Sequence, residues 1–169
     1  MELINGIFTR RSIRKYTKQL VSDDDIRTIL AAGMQSPSAA NCQPWHFVQI
    51  QDKDHLEEIT RIHPYASMLK EASLAICILG DTKIEHGPGY WTADCGAATQ
   101  NILLAAHGLG LGAVWLGIHP RVERIKTFAE YFNLPDHIKP FALVSIGYPD
   151  EDKPMVDRYQ QNRVHYETW

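Results

Sequence analysis

The chain has 169 residues, with a hydrophobic fraction of 44% and a charged fraction of 22%, which suits one globular domain. Its formal net charge is -3 at pH 7, which argues against general binding to nucleic acid, because such binding depends on a basic surface. No apolar run approaches the ~18 residues of a membrane-spanning helix, so no membrane association is expected.

The first residues and the cysteines predict a cytoplasmic protein without a metal site. Residues 1–6 lack the basic start and apolar core of a signal peptide. Cys42, Cys77 and Cys95 are odd in number and far apart, which is typical of reduced thiols rather than of a disulfide framework. The sequence contains no Cys-x-x-Cys motif and no two histidines four residues apart, so the spacing gives no metal signature.

The first half of the chain predicts three helices and one strand. A short helix over residues 2–8 leads into a group of arginines. The clearest helix covers residues 22–35, where Ser22 and Asp25 resemble a capping box and the apolar residues fall on one face. Residues 45–51 alternate as a strand, and Asp52 then caps a helix that ends at His63, before a proline.

The second half predicts three strands and two helices. Residues 73–80 form a buried strand, followed by a mobile glycine-containing loop over residues 81–89. Residues 91–109 form a long helix that is apolar on most sides, which predicts burial nearly all round. Residues 113–116 and 141–146 are the remaining strands, and between them Pro120 opens a helix that ends near Phe132.

This alternation of helices and strands indicates one domain of the α+β or α/β class. No internal repeat, low-complexity segment or linker divides the chain. The long helix without a polar face needs more cover than a small domain readily supplies, and a subunit interface is one way to provide it.

The stretch over residues 10–14, here called the arginine segment, contains candidates for binding a phosphate: Arg10, Arg11, Ser12 and Arg14. If this stretch is helical, Arg10 and Arg14 lie one turn apart on the same side. Two guanidinium groups placed there can grip a phosphate through charge-assisted hydrogen bonds, and Ser12 adds a hydroxyl donor. A solvated basic face, or a patch that contacts RNA, is the alternative interpretation.

Residues 37–45, here called the amide loop, read Pro-Ser-Ala-Ala-Asn-Cys-Gln-Pro-Trp and have the character of a binding loop. The small residues Ser38 and Ala39 let the backbone approach a ligand closely, while Asn41 and Gln43 offer both donors and acceptors. A segment this polar and restricted is costly to bury without partners for its amides. The alternative is a tight connection, because Ser-Pro and Asn are ordinary turn residues.

Residues 108–113 match the Gly-x-Gly-x-x-Ala pattern of a dinucleotide-binding fingerprint, and the acidic residue Glu130 follows ~20 residues later. That fingerprint requires a strand before the glycines and a helix after them. Here a predicted helix precedes them and a predicted strand follows. We therefore interpret the glycines as a helix end and a turn.

The tail starts at the Gly-Tyr-Pro of residues 147–149 and contains the basic residues Lys153 and Arg158. Three acidic residues directly before Lys153 favour an ordinary polar tail for it. Tyr166 and Trp169 near the end of the sequence predict a tail that packs down.

Together, these motifs resemble the nitroreductase family over nearly the whole chain. The arginine segment, the Pro-Ser…Asn-x-Gln-Pro-Trp loop, the glycine-rich turn before Trp115 and the tail follow the family's order and spacing. The resemblance implies a single α+β domain over residues 1–169, with a mostly antiparallel sheet wrapped by helices. It also implies an intertwined homodimer on which the tail, residues 148–169, packs.

The resemblance further implies FMN as the cofactor and NADH or NADPH as the co-substrate. It assigns FMN contacts to Arg10, Arg11, Ser12, Arg14, Pro37, Ser38, Ala39, Asn41, Gln43, Trp115, Leu116, Gly117 and Arg158. In the family a basic residue of the tail completes the phosphate site, and here Arg158 is the first candidate and Lys153 the alternate; the acidic residues before Lys153 leave the choice open. In the family the amide loop commonly reaches the flavin of the partner subunit, and the segment with Trp115 passes the reactive edge of the ring. From the residues alone, that segment reads equally well as a core strand. No protein residue is assigned a catalytic role, because the flavin carries the chemistry.

The activity implied by the resemblance is a ping-pong transfer of hydride from NAD(P)H to flavin N5 and then to a small-molecule acceptor such as a nitroaromatic or a quinone. One alternative is a specialised enzyme on the same scaffold, for reductive dehalogenation or flavin breakdown, and another is a non-enzymatic flavin binder. Longer family members carry a helical excursion over the active site, for which this chain has little room. An open pocket and a broad substrate range are therefore expected.

Overall fold

A four-stranded antiparallel sheet organises residues 2–169, which are the residues that the computed structural model describes. In chain order the elements are α1 (Leu3–Thr9), α2 (Asp23–Met34), β1 (Trp45–Ile50), α3 (Lys53–Ile62), β2 (Leu74–Asp81), α4 (Tyr90–Gly108), β3 (Gly112–Gly117), α5 (Val122–Tyr131) and β4 (Ile138–Gly147). The strand order across the sheet is β1-β2-β4-β3. The predicted α+β class with an antiparallel sheet is confirmed. Only Met1 of the predicted domain lies outside the described residues.

The two predicted helix caps form as the sequence indicates. The Ser22 hydroxyl accepts a hydrogen bond from the backbone N–H of Asp25 at 3.1 Å and donates to the Asp25 carboxylate at 2.8 Å, which starts α2. The Asp52 carboxylate accepts from the backbone N–H groups of Asp54 and His55, both at 3.0 Å, which starts α3. These contacts satisfy donors that an uncapped helix would leave without partners.

The sheet is the middle of three layers, because its two faces pack against different helices. Along β2, Ile76 and Ile78 point into a core shared with α2 and α4, whereas Cys77 and Leu79 point into a second core shared with α3 and α5. This is the period-two alternation of a strand that is buried on both faces. The central strands β2 and β4 are accordingly buried along most of their length.

Two predicted boundaries are wrong for local reasons. Helix α5 begins at Val122 and not at Pro120, because the backbone N–H of Arg121 donates to the Ile118 carbonyl at 3.0 Å and closes a turn first. Strand β4 begins at Ile138, earlier than predicted, and includes Pro140. The sheet accommodates this proline because the register of β2 against β4 shifts beside it.

One of two predictions of burial is not met within one chain. Most residues of helix α4 are buried or half-buried, as predicted, while Ala93 and Gln100 are exposed. In the tail, Tyr166 is 75% exposed and Trp169 is fully exposed, so these side chains do not pack down on their own chain. None of the helices over residues 2–169 is long and apolar enough to cross a membrane.

Candidate active site

The arginine segment runs alongside the start of β3 as extended backbone. Helix α1 ends at Thr9, Ser12 forms a parallel bridge with Ala113, and the backbone N–H of Ile13 donates to the Ala113 carbonyl at 3.0 Å. The arginine segment is therefore not helical, and the one-turn spacing of Arg10 and Arg14 that a helix would give does not apply. In extended backbone, alternate residues share a face, so Arg10, Ser12 and Arg14 still fall on one side.

The opposite side of the arginine segment fixes it to the sheet. Ile13 lies so close to Gly112 that a Cβ atom added to this glycine would be 2.6 Å from the Ile13 side chain. The branched side chain and the bare glycine backbone thus fit together, and this packing favours an extended segment over a continued helix.

Arg10 follows the end of α1 and experiences the positive charges of two other arginines, Arg11 and Arg158; we call the three residues the arginine cluster. The pKa of Arg10 is lowered by burial and then by the positive charges of Arg11 and Arg158. Within residues 2–169, no side chain of the arginine cluster forms an ion pair with a carboxylate. The cluster therefore carries positive charge that fits an anionic group such as a phosphate.

Arg11 has a different environment from the other two members of the cluster. Its guanidinium donates to three backbone carbonyls: Pro154 through Nε at 3.0 Å, Arg10 through Nη1 at 2.6 Å, and Phe8 through Nη2. These contacts tie the tail to the end of α1. Arg11 therefore positions the tail, while its charge adds to the field around Arg10.

Lys153, the alternate candidate for a phosphate ligand, fastens the tail to the arginine segment. Its ammonium donates to the Ser12 carbonyl at 2.6 Å and lies 3.0 Å from the Glu151 carboxylate. The same carboxylate accepts from the backbone N–H of Arg14 at 2.6 Å, and this bond lowers the pKa of Glu151. Of the two basic candidates in the tail, Arg158 is the one beside Arg10.

The amide loop is held in an unusual conformation by its own polar groups. Ala40, Asn41 and Gln43 have φ of 48°, 56° and 51°, in the left-handed region that asparagine tolerates but alanine and glutamine seldom adopt. The Gln43 backbone N–H donates to the Ser38 hydroxyl at 2.9 Å, and its side chain donates to the Asn41 side chain at 3.2 Å. Pro37, Asn41 and Gln43 are exposed, so the loop presents ordered amides to its surroundings.

A residue that the sequence analysis missed anchors this loop. Asp94, on α4, is only 5% exposed, and its Oδ1 accepts from the backbone N–H of Ala39 at 2.9 Å. Its Oδ2 has no hydrogen-bond partner among residues 2–169. The sequence signal is a lone carboxylate near the start of an otherwise apolar helix, where a buried charge is costly unless it holds a donor.

Helix α4 separates the amide loop from the end of β3. Asp94 contacts the loop, whereas the ring of Trp115 lies near Gly96, where an added Cβ would be 3.9 Å from it. Two residues along a helix turn by about 200°, so these contacts lie on nearly opposite sides of α4. Within one chain, the predicted site residues thus form two groups that face different directions.

The end of β3 offers an open stretch of backbone. Leu116 is buried, while Trp115 is 37% exposed, with its ring centroid 5.6 Å from that of Phe141. A Cβ atom built on Gly117 would meet nothing closer than the His119 carbonyl oxygen at 3.9 Å. The packing of the chain does not itself require glycine here, and the open backbone together with an aromatic wall fits the approach of a flat ring.

The glycines after α4 form a turn, as the sequence analysis interprets them. Helix α4 ends at Gly108, Gly110 takes a positive φ of 79°, and β3 begins at Gly112. A strand follows the glycines where a dinucleotide fingerprint would need a helix. Among residues 2–169, no group of three or more His, Cys, Asp or Glu side chains is arranged to hold a metal ion.

A comparison with protein families matches the model of the nitroreductase family over residues 7–68 and 61–148. The chain belongs to the nitroreductase family. A protein of Methanothermobacter thermautotrophicus with the provisional name NADH dehydrogenase/NAD(P)H nitroreductase is 44% identical over 169 residues, which are 100% of this chain and 88% of that relative.

Two solved structures are similar to this nitroreductase-family chain along its length. A protein of Clostridium acetobutylicum, provisionally named an NADH oxidase, superposes with a TM-score of 0.93 at 42% identity, over 99% of this chain and 100% of the other. A provisionally named nitroreductase of Desulfovibrio desulfuricans, solved in complex with FMN, superposes with a TM-score of 0.88 at 32% identity, over 100% of this chain and 98% of the other.

Proposed function

We propose that this nitroreductase-family protein is a cytoplasmic, FMN-dependent oxidoreductase that passes hydride from NADH or NADPH to a small-molecule acceptor such as a nitroaromatic or a quinone. When bound, FMN supplies the hydride-transfer chemistry at its N5 atom, and the donor and the acceptor use the site in turn. The carrying observation is the arginine cluster, which lacks a carboxylate counter-ion within the described residues and stands at the edge of β3.

The phosphate of FMN would bind to the arginine cluster and to the face of the arginine segment that Ser12 and Arg14 share with Arg10. Guanidinium groups suit a phosphate because they donate in a planar fork. The positive charges of Arg11 and Arg158 raise the cost of charging Arg10, and a bound phosphate dianion would relieve this repulsion. Arg11 keeps the tail in place for Arg158 through its bonds to backbone carbonyls.

The ring of FMN would lie over the open backbone of Trp115, Leu116 and Gly117. The amide loop would contribute Pro37, Ser38, Ala39, Asn41 and Gln43 to a flavin held by a second copy of the chain. This assignment agrees with the position of α4, which puts the loop and the end of β3 on opposite sides within one chain. Two half-sites of one chain would then serve two different flavins of a homodimer.

Exposed apolar residues support a homodimer in which the tail, residues 148–169, packs on the partner. On α1, Ile4 and Phe8 are exposed, and beside them in the tail so are Met155 and Val156; these residues line one shallow apolar cavity of about 520 Å³. Apolar surface of this kind is stabilised when a second subunit covers it. We expect a mass of two chains in solution by light scattering.

The experiment that tests the proposed function is the visible absorption spectrum of the purified protein, measured without oxygen before and after addition of NADH or NADPH. A yellow protein whose flavin bands bleach, and then return when menadione or nitrofurazone is added, supports the oxidoreductase. Bleaching without recovery would indicate a flavoprotein that oxidises NAD(P)H but does not reduce these acceptors, and a yellow protein that does not bleach would indicate a flavin binder without this activity. A colourless protein that takes up no added FMN would contradict the proposal.

A further inference from the structure

The carbonyl oxygen of Gly117 accepts two side-chain hydrogen bonds. One comes from Nε2 of His63 at 3.1 Å, and the other comes from Nη1 of Arg124 at 2.8 Å. The two donors belong to different parts of the chain, since His63 follows α3 and Arg124 lies on α5. Two side chains therefore converge on one backbone atom at the end of β3.

His63 is held so that it can act only as a donor toward Gly117. It is 1% exposed, and its Nδ1 accepts from the backbone N–H of Tyr65 at 3.2 Å, which places the proton on Nε2. The rings of Phe128 and Tyr65 pack edge-on against it, with centroids 6.0 and 6.2 Å away. The imidazole thus has one tautomer and one orientation.

Arg124 is held by the same aromatic side chain. Its guanidinium carbon lies 5.3 Å from the centroid of the Tyr65 ring, which is within the range of a cation–π contact. Tyr65 consequently supports both donors, through its backbone N–H for His63 and through its ring for Arg124. Tyr65 thus links the two donors that bind the Gly117 carbonyl.

The other side of the same peptide group is also fixed. The backbone N–H of Ile118 donates to the Phe141 carbonyl at 3.2 Å, and Gly117 itself pairs with Ala142 in the sheet. Glycine has the most conformational freedom of all residues. At the end of an edge strand, the Gly117–Ile118 peptide group is therefore ordered by bonds to both its N–H and its carbonyl. The bonds from His63 and Arg124 act on the carbonyl side.

We propose that His63 and Arg124 are positioning residues that fix the Gly117–Ile118 peptide group, and thereby the backbone against which the flavin ring is held. The inference rests on the proposed function, because it takes the open backbone at Gly117 as part of the flavin site. Neither residue touches the ring in this account. They act through the Gly117 carbonyl, behind the surface that faces the ligand.

Because both donors bind one atom, loss of one leaves the other to hold the peptide group. Each single loss therefore has a modest effect, and the double loss exceeds the product of the two single effects. Two substitutions of His63 separate the donor at Nε2, which binds Gly117, from the acceptor at Nδ1, which binds Tyr65. His63→Gln keeps a donor near the position of Nε2, whereas His63→Asn keeps a group near Nδ1 and loses the donor to Gly117.

The test uses His63→Gln, His63→Asn, Arg124→Met and the double variant His63→Asn/Arg124→Met of the full chain. The control is His55→Asn, since His55 is an exposed histidine that bonds the Tyr131 hydroxyl at 2.7 Å, away from Gly117. The carbonyl carbon shift of Gly117 is measured by NMR without FMN. The dissociation constant and the midpoint potential of added FMN are measured on the same proteins.

We expect His63→Asn and Arg124→Met to move the Gly117 carbonyl shift and the flavin potential, and the double variant to weaken FMN binding by roughly tenfold or more. His63→Gln and His55→Asn should resemble the wild type. Unchanged potential and affinity in the double variant His63→Asn/Arg124→Met, with only a lower melting temperature, would overturn the inference. If the wild type binds no FMN, the proposed function fails, and an unmoved carbonyl shift would then separately refute the positioning role.

Discussion

The backbone N–H of Ala39 and the carboxylate of Asp94 are joined by a hydrogen bond of 2.9 Å, which anchors the amide loop to the second turn of α4. The loop contains residues with φ in the left-handed region, so its conformation carries strain that other contacts must offset. A buried carboxylate oxygen is a strong acceptor, and this bond therefore holds a loop that its own sequence would not hold as firmly.

Replacing Asp94 tests this anchor. We expect Asp94→Ala to lower the free energy of unfolding by about 1–3 kcal/mol, because it leaves the Ala39 N–H without an acceptor. Asp94→Asn is the matched control, since it keeps an acceptor oxygen and removes a buried negative charge whose second oxygen has no partner among the described residues. Urea unfolding of the three proteins measures the difference. An Asp94→Ala protein as stable as the wild type would show that the bond anchors nothing.

Much of the fold follows from local patterns that the sequence displays directly. Ser22 and Asp52 are caps in both sequence and structure, and β2 is a short apolar run bounded by polar residues. The amide loop is recognisable because its small and amide residues are unusual in combination. These signals lie within a few residues of one another, so no knowledge of tertiary contacts is needed to recognise them.

The remaining site residues depend on contacts between distant segments. The arginine segment is extended because Ile13 packs on Gly112, about a hundred residues further along the chain. His63 reads as a helix terminator before a proline, and its bond to Gly117 appears only after α3 and β3 are brought together. The sequence carries no local mark of such pairs, and the same holds for Asp94 and Ala39.

The two glycines at the ends of β3 separate stability from binding. Gly112→Ala is expected to destabilise the fold by about 1–3 kcal/mol, because the new methyl group would overlap Ile13. Gly117→Ala is expected to change the stability by less than about 1 kcal/mol, since the nearest atom is 3.9 Å from the new Cβ. Gly117→Ala should nevertheless weaken FMN binding. Thermal unfolding without FMN measures the stability, and fluorescence titration measures the affinity for FMN. Full FMN affinity in Gly117→Ala would contradict the placement of the flavin ring over residues 115–117.

Neutralising Arg10 should have opposite effects without and with FMN. Without FMN, Arg10→Gln removes repulsion within the arginine cluster and should raise the melting temperature. With FMN, the same change should weaken binding by about 1–3 kcal/mol, the cost of a lost charged hydrogen bond. Calorimetric melting with and without FMN measures both. The control is Arg27→Gln, because Arg27 is an exposed arginine on α2. A lower melting temperature of FMN-free Arg10→Gln would contradict the conclusion that the arginine cluster lacks a negative counter-charge.

Arg14→Ala tests the neighbouring phosphate assignment. The Arg14 side chain is exposed and shares a face with Arg10 and Ser12. We therefore expect its loss to weaken FMN binding by about 1–3 kcal/mol. Stability should change little, because Glu151 binds the backbone N–H of Arg14 and not its side chain. Flavin content after extensive dialysis is the measurement. A variant that keeps all its flavin would remove Arg14 from the site.

The burial of His63 predicts how stability depends on pH. Burial is the largest cause that lowers its pKa, and the positive charge of Arg124 adds to it, although the bond to Gly117 acts in the opposite direction. Between the lowered pKa of the folded state and the ordinary value near 6.5, the unfolded chain binds a proton that the folded chain does not. The free energy of unfolding should therefore decrease as the pH falls below about 6.5.

His63→Gln cannot take up this proton, so its stability should decrease less between pH 7.5 and pH 5. Urea unfolding above pH 5 isolates the effect, because the carboxylate of Glu151, with its lowered pKa, titrates at more acidic pH. His107 has a lowered pKa for similar reasons and leaves a residual slope in the variant. Equal slopes in the wild type and His63→Gln would mean that His63 is not held neutral by the fold.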